Sequence, residues 1–210
     1  MSDFFYKAVR FFGSYPFLLS SRPLVINPEQ TRRAGAFLLA PTHASLFDTL
    51  VLVRHSYCKI DFLSIVEVFR KPFLGWFCGL MNAFPLNRSR PDPATVRIIM
   101  DRLAGGRCVG IFPEGRLQRG AKSVVYTRQL NRGLGRIAKM AAVPIVPCVV
   151  IGAEDYQHVH AWFPIRRTRY GIIFGEAIEP DEDDRKTGQR VADAMAELHR
   201  QLSARLGRSI

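Results

Sequence analysis

The chain lacks a cysteine framework: Cys58, Cys78, Cys108 and Cys148 lie 20, 30 and 40 residues apart, with no C-x-x-C pair. That spacing argues against a disulfide scaffold or a zinc knuckle, and the four read as small core residues in a reducing compartment. No apolar run reaches the length of about 18 residues expected of a spanning helix. No typical signal peptide is visible, because Lys7 and Arg10 interrupt the N-terminal apolar stretch and no clear small-residue cleavage site follows. Repeats, low-complexity tracts and convincing internal boundaries are also missing. Acidic side chains are scarce, 18 against 30 Lys and Arg, giving a net charge of +12 and a pI near 10.1. Residues 84–140 hold 12 of the cations and only 3 of the acids, so most of the excess sits there. Such a field calls for an anionic partner; nucleic acid, an anionic membrane and a phosphorylated metabolite all fit.

What is present suits one core. The chain has 210 residues, 48% of them apolar, enough for a single sizeable domain. Short apolar runs at 24–27, 37–40, 60–64, 83–86, 108–112, 145–151 and 170–174 predict strands. Helical patterns predict helices over 45–55, 72–81, 93–104, 133–141 and 190–206; in the last, Val191, Met195, Leu198, Leu202 and Leu206 share a face. This alternation argues an α/β domain, a single layered unit over 23–210 with a mixed, mostly parallel sheet flanked by helices. Residues 1–22 read as a separate N-terminal segment. On a helix, Asp3, Lys7, Arg10 and Ser14 form one stripe while Phe4, Phe5, Val9, Phe11 and Phe12 fill the rest. That pattern fits an interfacial membrane helix and equally an amphipathic helix packed on its own domain.

The most informative local feature is His43 with Asp48, directly after the run 37–40. An imidazole that takes a proton and a carboxylate that holds it in one tautomer are two thirds of a nucleophile-activating apparatus. No serine or cysteine nucleophile with its own signature accompanies them, which suggests that the activated hydroxyl belongs to a substrate. Residues five apart in an ideal helix point about 140° away from each other, so the pair cannot meet within a helix. They can converge if Pro41 and Thr42 bend the chain and Asp48 lies in the first helical turn. A structural alternative stands beside this one: Ser45 followed three residues later by Asp48 fits a capping box.

Functional groups in α/β sheets gather beyond the carboxyl ends of the strands. There the chain offers Asn87 and Arg88 after the fourth predicted strand, and Pro113-Glu114-Gly115-Arg116 after the fifth. Arginines at two strand ends near a base suit a phosphate, which a guanidinium grips bidentately. Glu114 can bind a hydroxyl or orient an arginine. Taken singly, each of these is also ordinary turn or surface composition.

Four blocks in order carry a resemblance: His43-Ala44-Ser45-Leu46-Phe47-Asp48 as H-x-x-x-x-D, then Phe84-Pro85-Leu86-Asn87-Arg88, then Phe112-Pro113-Glu114-Gly115, then Val143-Pro144-Ile145-Val146-Pro147. By these blocks and their spacing, across residues 24–178, the chain resembles the glycerolipid acyltransferase superfamily, the lysophosphatidic acid and glycerol-3-phosphate acyltransferases. The resemblance implies that His43 is general base on an acceptor hydroxyl and that Asp48 orients it. The hydroxyl then attacks the thioester of acyl-CoA or an acyl carrier protein, without a covalent acyl-enzyme, a metal or an organic cofactor. It places Asn87, Arg88, Glu114, Gly115 and Arg116 with the acceptor's phosphoglycerol part and Pro147 in a block associated with the acyl chain. The implied acceptor is a lysolipid, first of all 1-acylglycerol 3-phosphate, at the cytoplasmic face of an anionic membrane in peripheral or monotopic attachment.

The chain departs from its relatives in two places. Many continue the third block as Gly-Thr-Arg-Ser, whereas Gly115 is followed here by Arg116-Leu117-Gln118-Arg119, so Arg116 and Arg119 compete for the phosphate. The lysine often found two residues before a glutamate after the third strand is Ile65 here, ahead of Glu67. Glycerol 3-phosphate, a lysophospholipid with a larger headgroup and a lyso-aminolipid therefore stay open as acceptors. Two other classes are weaker. A nucleic-acid-binding module explains the charge but leaves His43, Asp48 and the Pro-Glu-Gly turn without a role. A metal hydrolase around Glu154, Asp155, His158 and His160 matches no standard ligand spacing.

Overall fold

The computed structural model describes residues 6–7, 10–11, 19–65, 84–86, 93–163 and 167–207. Among the described residues seven strands run in chain order: β1 Ser21–Ile26, β2 Phe37–Pro41, β3 Ile60–Ile65, β4 Phe84–Leu86, β5 Cys108–Gly110, β6 Ile145–Ile151 and β7 Thr168–Phe174. They form one sheet in the order β1-β7-β6-β2-β5-β3-β4. Only the β6–β7 adjacency is antiparallel; every other neighbouring pair is parallel. The helices are α1 Asp48–His55, α2 Pro93–Ala104, α3 Val124–Thr127, α4 Gly133–Ala141 and α5 Asp184–Leu206. The expected mixed, mostly parallel sheet flanked by helices is thus what forms. Belonging to an α/β layer also explains why its strands read as unbroken apolar runs: both faces are covered.

β2 shows this most directly. Successive side chains of a strand point to opposite faces. Leu38 and Ala40 enter the core cluster shared with Ile99 of α2, Ala138 of α4 and Met195 of α5, while Phe37 and Leu39 enter the opposite cluster with Val51 and Leu52 of α1. All four β2 residues are essentially inaccessible to solvent. β2 pairs with β5 on one side and β6 on the other, both parallel. The chain leaving its carboxyl end is therefore flanked by the loops that leave β5 and β6.

Several boundaries differ from those the pattern predicts. α1 starts at Asp48, three residues later than expected, because the Ser45 N–H is taken by the Asp48 side chain and residues 46 and 47 form a turn. α5 starts at Asp184 instead of 190, capped by Asp183, whose Oδ1 accepts the Arg185 N–H at 2.9 Å; the apolar stripe begins only at Val191, so periodicity misses the first two turns. β5 ends at Gly110 rather than 112. There a Cβ would lie 2.8 Å from Ile60 and Phe62 side-chain atoms, so glycine lets Phe62 lie across the strand end. The sequence pattern does not predict α3 or the four 3₁₀ turns seen among the described residues. The helix expected over 72–81, with Cys78, lies outside the described residues, as do Asn87, Arg88 and Glu67.

Of the N-terminal segment, the described Tyr6 is buried in the core, its hydroxyl accepting the Ile60 N–H at 3.3 Å, and burial pushes its pKa up to about 12. Phe4, Phe5, Val9, Phe12 and Ser14 lie outside the described residues. No helix among the described residues is long and apolar enough to cross a membrane.

At the carboxyl end of α1, His55 Nε2 and the Tyr170 hydroxyl share a 2.8 Å hydrogen bond. Burial, then the charges of Arg54 and Arg10, lowers the His55 pKa to about 4. The unfolded chain, titrating near 6.5, binds the proton more readily, so the contribution to stability is complete above about pH 6.5 and is lost as pH falls toward 4. Between pH 7 and 4, the parent is expected to lose about 3 kcal/mol more stability than His55→Gln, read from urea midpoints. Equal losses in the two proteins would rule out a neutral, buried His55.

Candidate active site

His43 stands two residues beyond the end of β2. Thr42 anchors the departure point, its N–H donating to the Cys148 carbonyl at 3.1 Å and its Oγ1 accepting the Val150 N–H at 3.0 Å. The His43 ring stacks on Phe112, with centroids 3.8 Å apart, and Phe112 in turn stacks near Phe62 at 6.0 Å. His43 Nδ1 lies 3.5 Å from Asp48 Oδ2, and the side chain of His43 is 11% exposed while that of Asp48 is 1% exposed. Nδ1 is sealed from solvent, so the edge carrying Nε2 is the one left to meet a substrate. The bend and the delayed helix start are what allow two residues five apart to converge.

The capping alternative and the dyad coexist. Asp48 Oδ2 accepts the Ser45 N–H at 2.7 Å, and Ser45 Oγ accepts the Phe47 N–H at 3.2 Å. Burial raises the Asp48 pKa, opposed by His43 and the backbone N–H groups of Ser45 and Ala44. One carboxylate thus shapes the turn and faces the imidazole together.

Glu114 is braced between two parts of the chain. Its Oε2 accepts the His43 N–H at 3.3 Å, and its Oε1 accepts the Ser123 hydroxyl at 2.7 Å and the Val124 N–H at 2.9 Å. Burial raises its pKa, and these donors counter that. The carboxylate therefore ties the backbone of His43 to the start of α3. Gly115 follows in a left-handed conformation at φ +68°, its N–H bonded to the Phe112 carbonyl at 3.0 Å, which turns the loop sharply.

Two more groups from the same loop hold the His43 turn. The Gln118 N–H donates to the His43 carbonyl at 2.8 Å, and Arg119 Nε donates to the Ala44 carbonyl at 2.7 Å. Gln157, from the turn after β6, donates through Nε2 to Ser45 Oγ at 3.3 Å. By contrast, Arg116 is exposed and has no hydrogen bond or ion pair among the described residues. A cationic cavity of about 350 Å³ opens nearby, with Arg128, Arg132 and Arg185 in its walls. It touches the third block through Asn131, whose N–H donates to the Pro113 carbonyl at 2.9 Å.

Sequence reasoning singled out His43, Asp48, Glu114, Gly115, Arg116 and Arg119, and the fold brings these to one end of the sheet. It missed the bracing roles of Gln118, Ser123 and Gln157 and the stacking role of Phe112. A Ser before a short helix signals a cap, but this hydroxyl donates to Glu114 instead. Pro147 lies within β6 with its ring against Gly175, a buried structural position. His158 and His160 stack at 5.4 Å, and Glu154 Oε2 accepts the Gly152 N–H. Among the described residues no group of three His, Cys, Asp or Glu side chains is placed to hold a metal.

Comparison with known proteins agrees with this architecture. The chain is 28% identical over 155 residues to a 1-acyl-sn-glycerol-3-phosphate acyltransferase of Bacillus subtilis, covering 73% of this chain and 72% of that one. It is 24% identical over 145 residues to the enzyme of the same name from Streptococcus pneumoniae, covering 68% of this chain and 50% of the other. Its fold matches the crystal structure of the 1-acyl-sn-glycerophosphate (LPA) acyltransferase PlsC from Thermotoga maritima, with a TM-score of 0.76 and 20% identity, over 95% of this chain and 80% of that one. Residues 22–151, which hold all four sequence blocks and the His43–Asp48 dyad, match the acyltransferase family model, and the chain belongs to that family.

Proposed function

We propose that the protein transfers a fatty acyl group from an acyl thioester, of CoA or an acyl carrier protein, to the free hydroxyl of 1-acylglycerol 3-phosphate, giving phosphatidic acid. The observation that carries this reading is the buried dyad, His43 Nδ1 facing Asp48 Oδ2 at 3.5 Å, at the carboxyl end of the central strand of an acyltransferase domain. The names of the relatives from Bacillus subtilis and Streptococcus pneumoniae supply the acceptor.

In this mechanism His43 Nε2 takes the proton of the acceptor hydroxyl as its oxygen attacks the thioester carbonyl carbon. Asp48 steadies the imidazolium that forms. The attack makes the new C–O bond and a tetrahedral oxyanion; its collapse re-forms the carbonyl, breaks the C–S bond and returns the proton from His43 to the departing thiolate. No metal, organic cofactor or acyl-enzyme takes part. The protein works at the cytoplasmic face of a membrane in peripheral or monotopic attachment, where acceptor and product reside.

Arg116 is the acceptor-phosphate ligand of the third block, and Arg119 is a brace of the catalytic turn. Its bond to the Ala44 carbonyl supports that division, as does the unengaged guanidinium of Arg116. Arg116→Ala is therefore expected to raise the acceptor KM about tenfold or more with kcat little changed, from loss of a charge-assisted contact. Arg119→Ala is expected to lower kcat several-fold instead. The reverse pattern would exchange the two roles.

The decisive assay pairs 1-acylglycerol 3-phosphate, glycerol 3-phosphate, a larger-headgroup lysophospholipid and a lyso-aminolipid with both CoA and carrier-protein donors. The highest kcat/KM is expected with 1-acylglycerol 3-phosphate. A higher value with any other acceptor would overturn the assignment.

A further inference from the structure

We propose that the cavity walled by the end of α3, the start of α4 and the start of α5 is a second anion site, which takes a small organic molecule carrying two or more phosphates on Arg128, Arg132 and Arg185. None of the groups assigned above to acyl transfer lines it.

The cavity holds about 350 Å³, within the size range of small-molecule sites. Its walls are fastened to one another. Arg128 caps the carboxyl end of α3 in a left-handed conformation at φ +53°, and its Nη1 donates to Asp193 of α5 at 2.8 Å. Gly135 of α4 packs on the Asp184 carbonyl so closely that any Cβ would overlap its oxygen, which seats the start of α5 directly on α4. The remaining edge is tied to the third sequence block, where the Asn131 N–H donates to the Pro113 carbonyl at 2.9 Å. Arginines from three segments distant in sequence are thereby carried to one opening.

The lining sets the chemistry of the occupant. Among the described residues Leu130 is its only apolar side chain, which excludes an acyl chain, and Asp184 is its only acid against three arginines. The side chains of Arg132 and Arg185 make no hydrogen bond or ion pair among the described residues. A guanidinium grips phosphate bidentately, so arginines on three segments suit a ligand with more than one phosphate. The surroundings select a small molecule over a macromolecule. Asp193 pairs with Arg128, and Glu182 and Asp183 lead into Asp184, so acids border the arginines. An extended polyanion calls for an unbroken basic face instead. Two sources carry this chemistry. One is the 3′-phospho-ADP end of a coenzyme A donor, a source that rests on the proposed function; the other is a free nucleotide polyphosphate acting from outside the reaction.

Binding is read by calorimetric titration of the full chain with inorganic pyrophosphate. Arg132→Ala/Arg185→Ala is expected to weaken it about tenfold or more, with an unchanged melting temperature because both side chains are exposed and unpaired. Arg33→Ala/Arg97→Ala, which removes the same charge from exposed positions outside the cavity, is expected to bind as the parent does. Pyrophosphate that does not bind the parent, binds the cavity variant as tightly, or weakens equally in both variants overturns the site. Donor kinetics then assign the source. With coenzyme A as the source, the cavity variant raises the KM for acyl-CoA about tenfold and leaves that for the phosphate-free acyl-pantetheine unchanged. With a free nucleotide as the source, ADP displaces pyrophosphate and the KM for acyl-CoA stays at the parent value. Because the titration needs no turnover, pyrophosphate binding without lysolipid acylation defeats the proposed function alone, and acylation without cavity-dependent binding defeats the anion site alone.

Discussion

His43→Ala is expected to lower kcat about 10²- to 10⁴-fold, the range that a positioned general base contributes, while the domain keeps its fold by near-UV circular dichroism. Asp48→Asn tests its partner more sharply. An asparagine side chain can still accept the Ser45 N–H now held at 2.7 Å, so the turn that delivers His43 is retained. The variant also removes a carboxylate whose burial already raises its pKa, so its melting temperature is expected to hold or rise. What it loses is the negative charge facing Nδ1 at 3.5 Å. A large fall in kcat with unchanged stability is therefore the expected pair of results. If Asp48 only capped the turn, Asp48→Asn would retain nearly full activity, and transfer that survives His43→Ala would sink the mechanism itself.

Glu114→Gln is the second large effect, an expected fall of about tenfold to a hundredfold in kcat. Three donors converge on this side chain: the N–H of His43, the hydroxyl of Ser123 and the N–H of Val124. A carboxylate satisfies all three. An amide has one oxygen, so its NH₂ group must face at least one of the donors, at a cost of about 1–3 kcal/mol for a buried polar group left unpaired. The strain falls on the backbone of the base, and a small displacement of a catalytic group is costly in rate. The kinetic split separates this from direct substrate binding. A positioning Glu114 gives a lower kcat with the acceptor KM within a few-fold of the parent; a raised KM at full kcat would place the carboxylate on the acceptor instead. Ser123→Ala removes one donor and leaves the other two paired, so its effect should be several-fold at most.

The contrast between these two residues shows where sequence reading stops. His43 and Asp48 lie in one short stretch, and a bend and a helix start are local properties that Pro41, Thr42 and the Ser45–Asp48 spacing announce. Glu114 lies 71 residues from His43. Its neighbour across the site is set by the pairing of β2 with β5, in which Leu39 lies opposite Gly110, and no local pattern encodes that register. Arg119 is similar: its charge suggested a phosphate, but its Nε meets the Ala44 carbonyl because the loop after β5 folds back over the turn after β2.

The sequence by itself determined the α/β layering, the near-continuous apolar strands and the placing of an imidazole and a carboxylate in one short turn, because these follow from periodicity and side-chain type over a few residues. It also separated a lipid-modifying site from a nucleic-acid module, through four ordered blocks. The tertiary structure alone decided which charged side chains brace the His43 turn and where α5 begins. Those outcomes depend on strand order and on hydrogen bonds between loops far apart in the chain, and such partners are chosen only when the sheet is assembled.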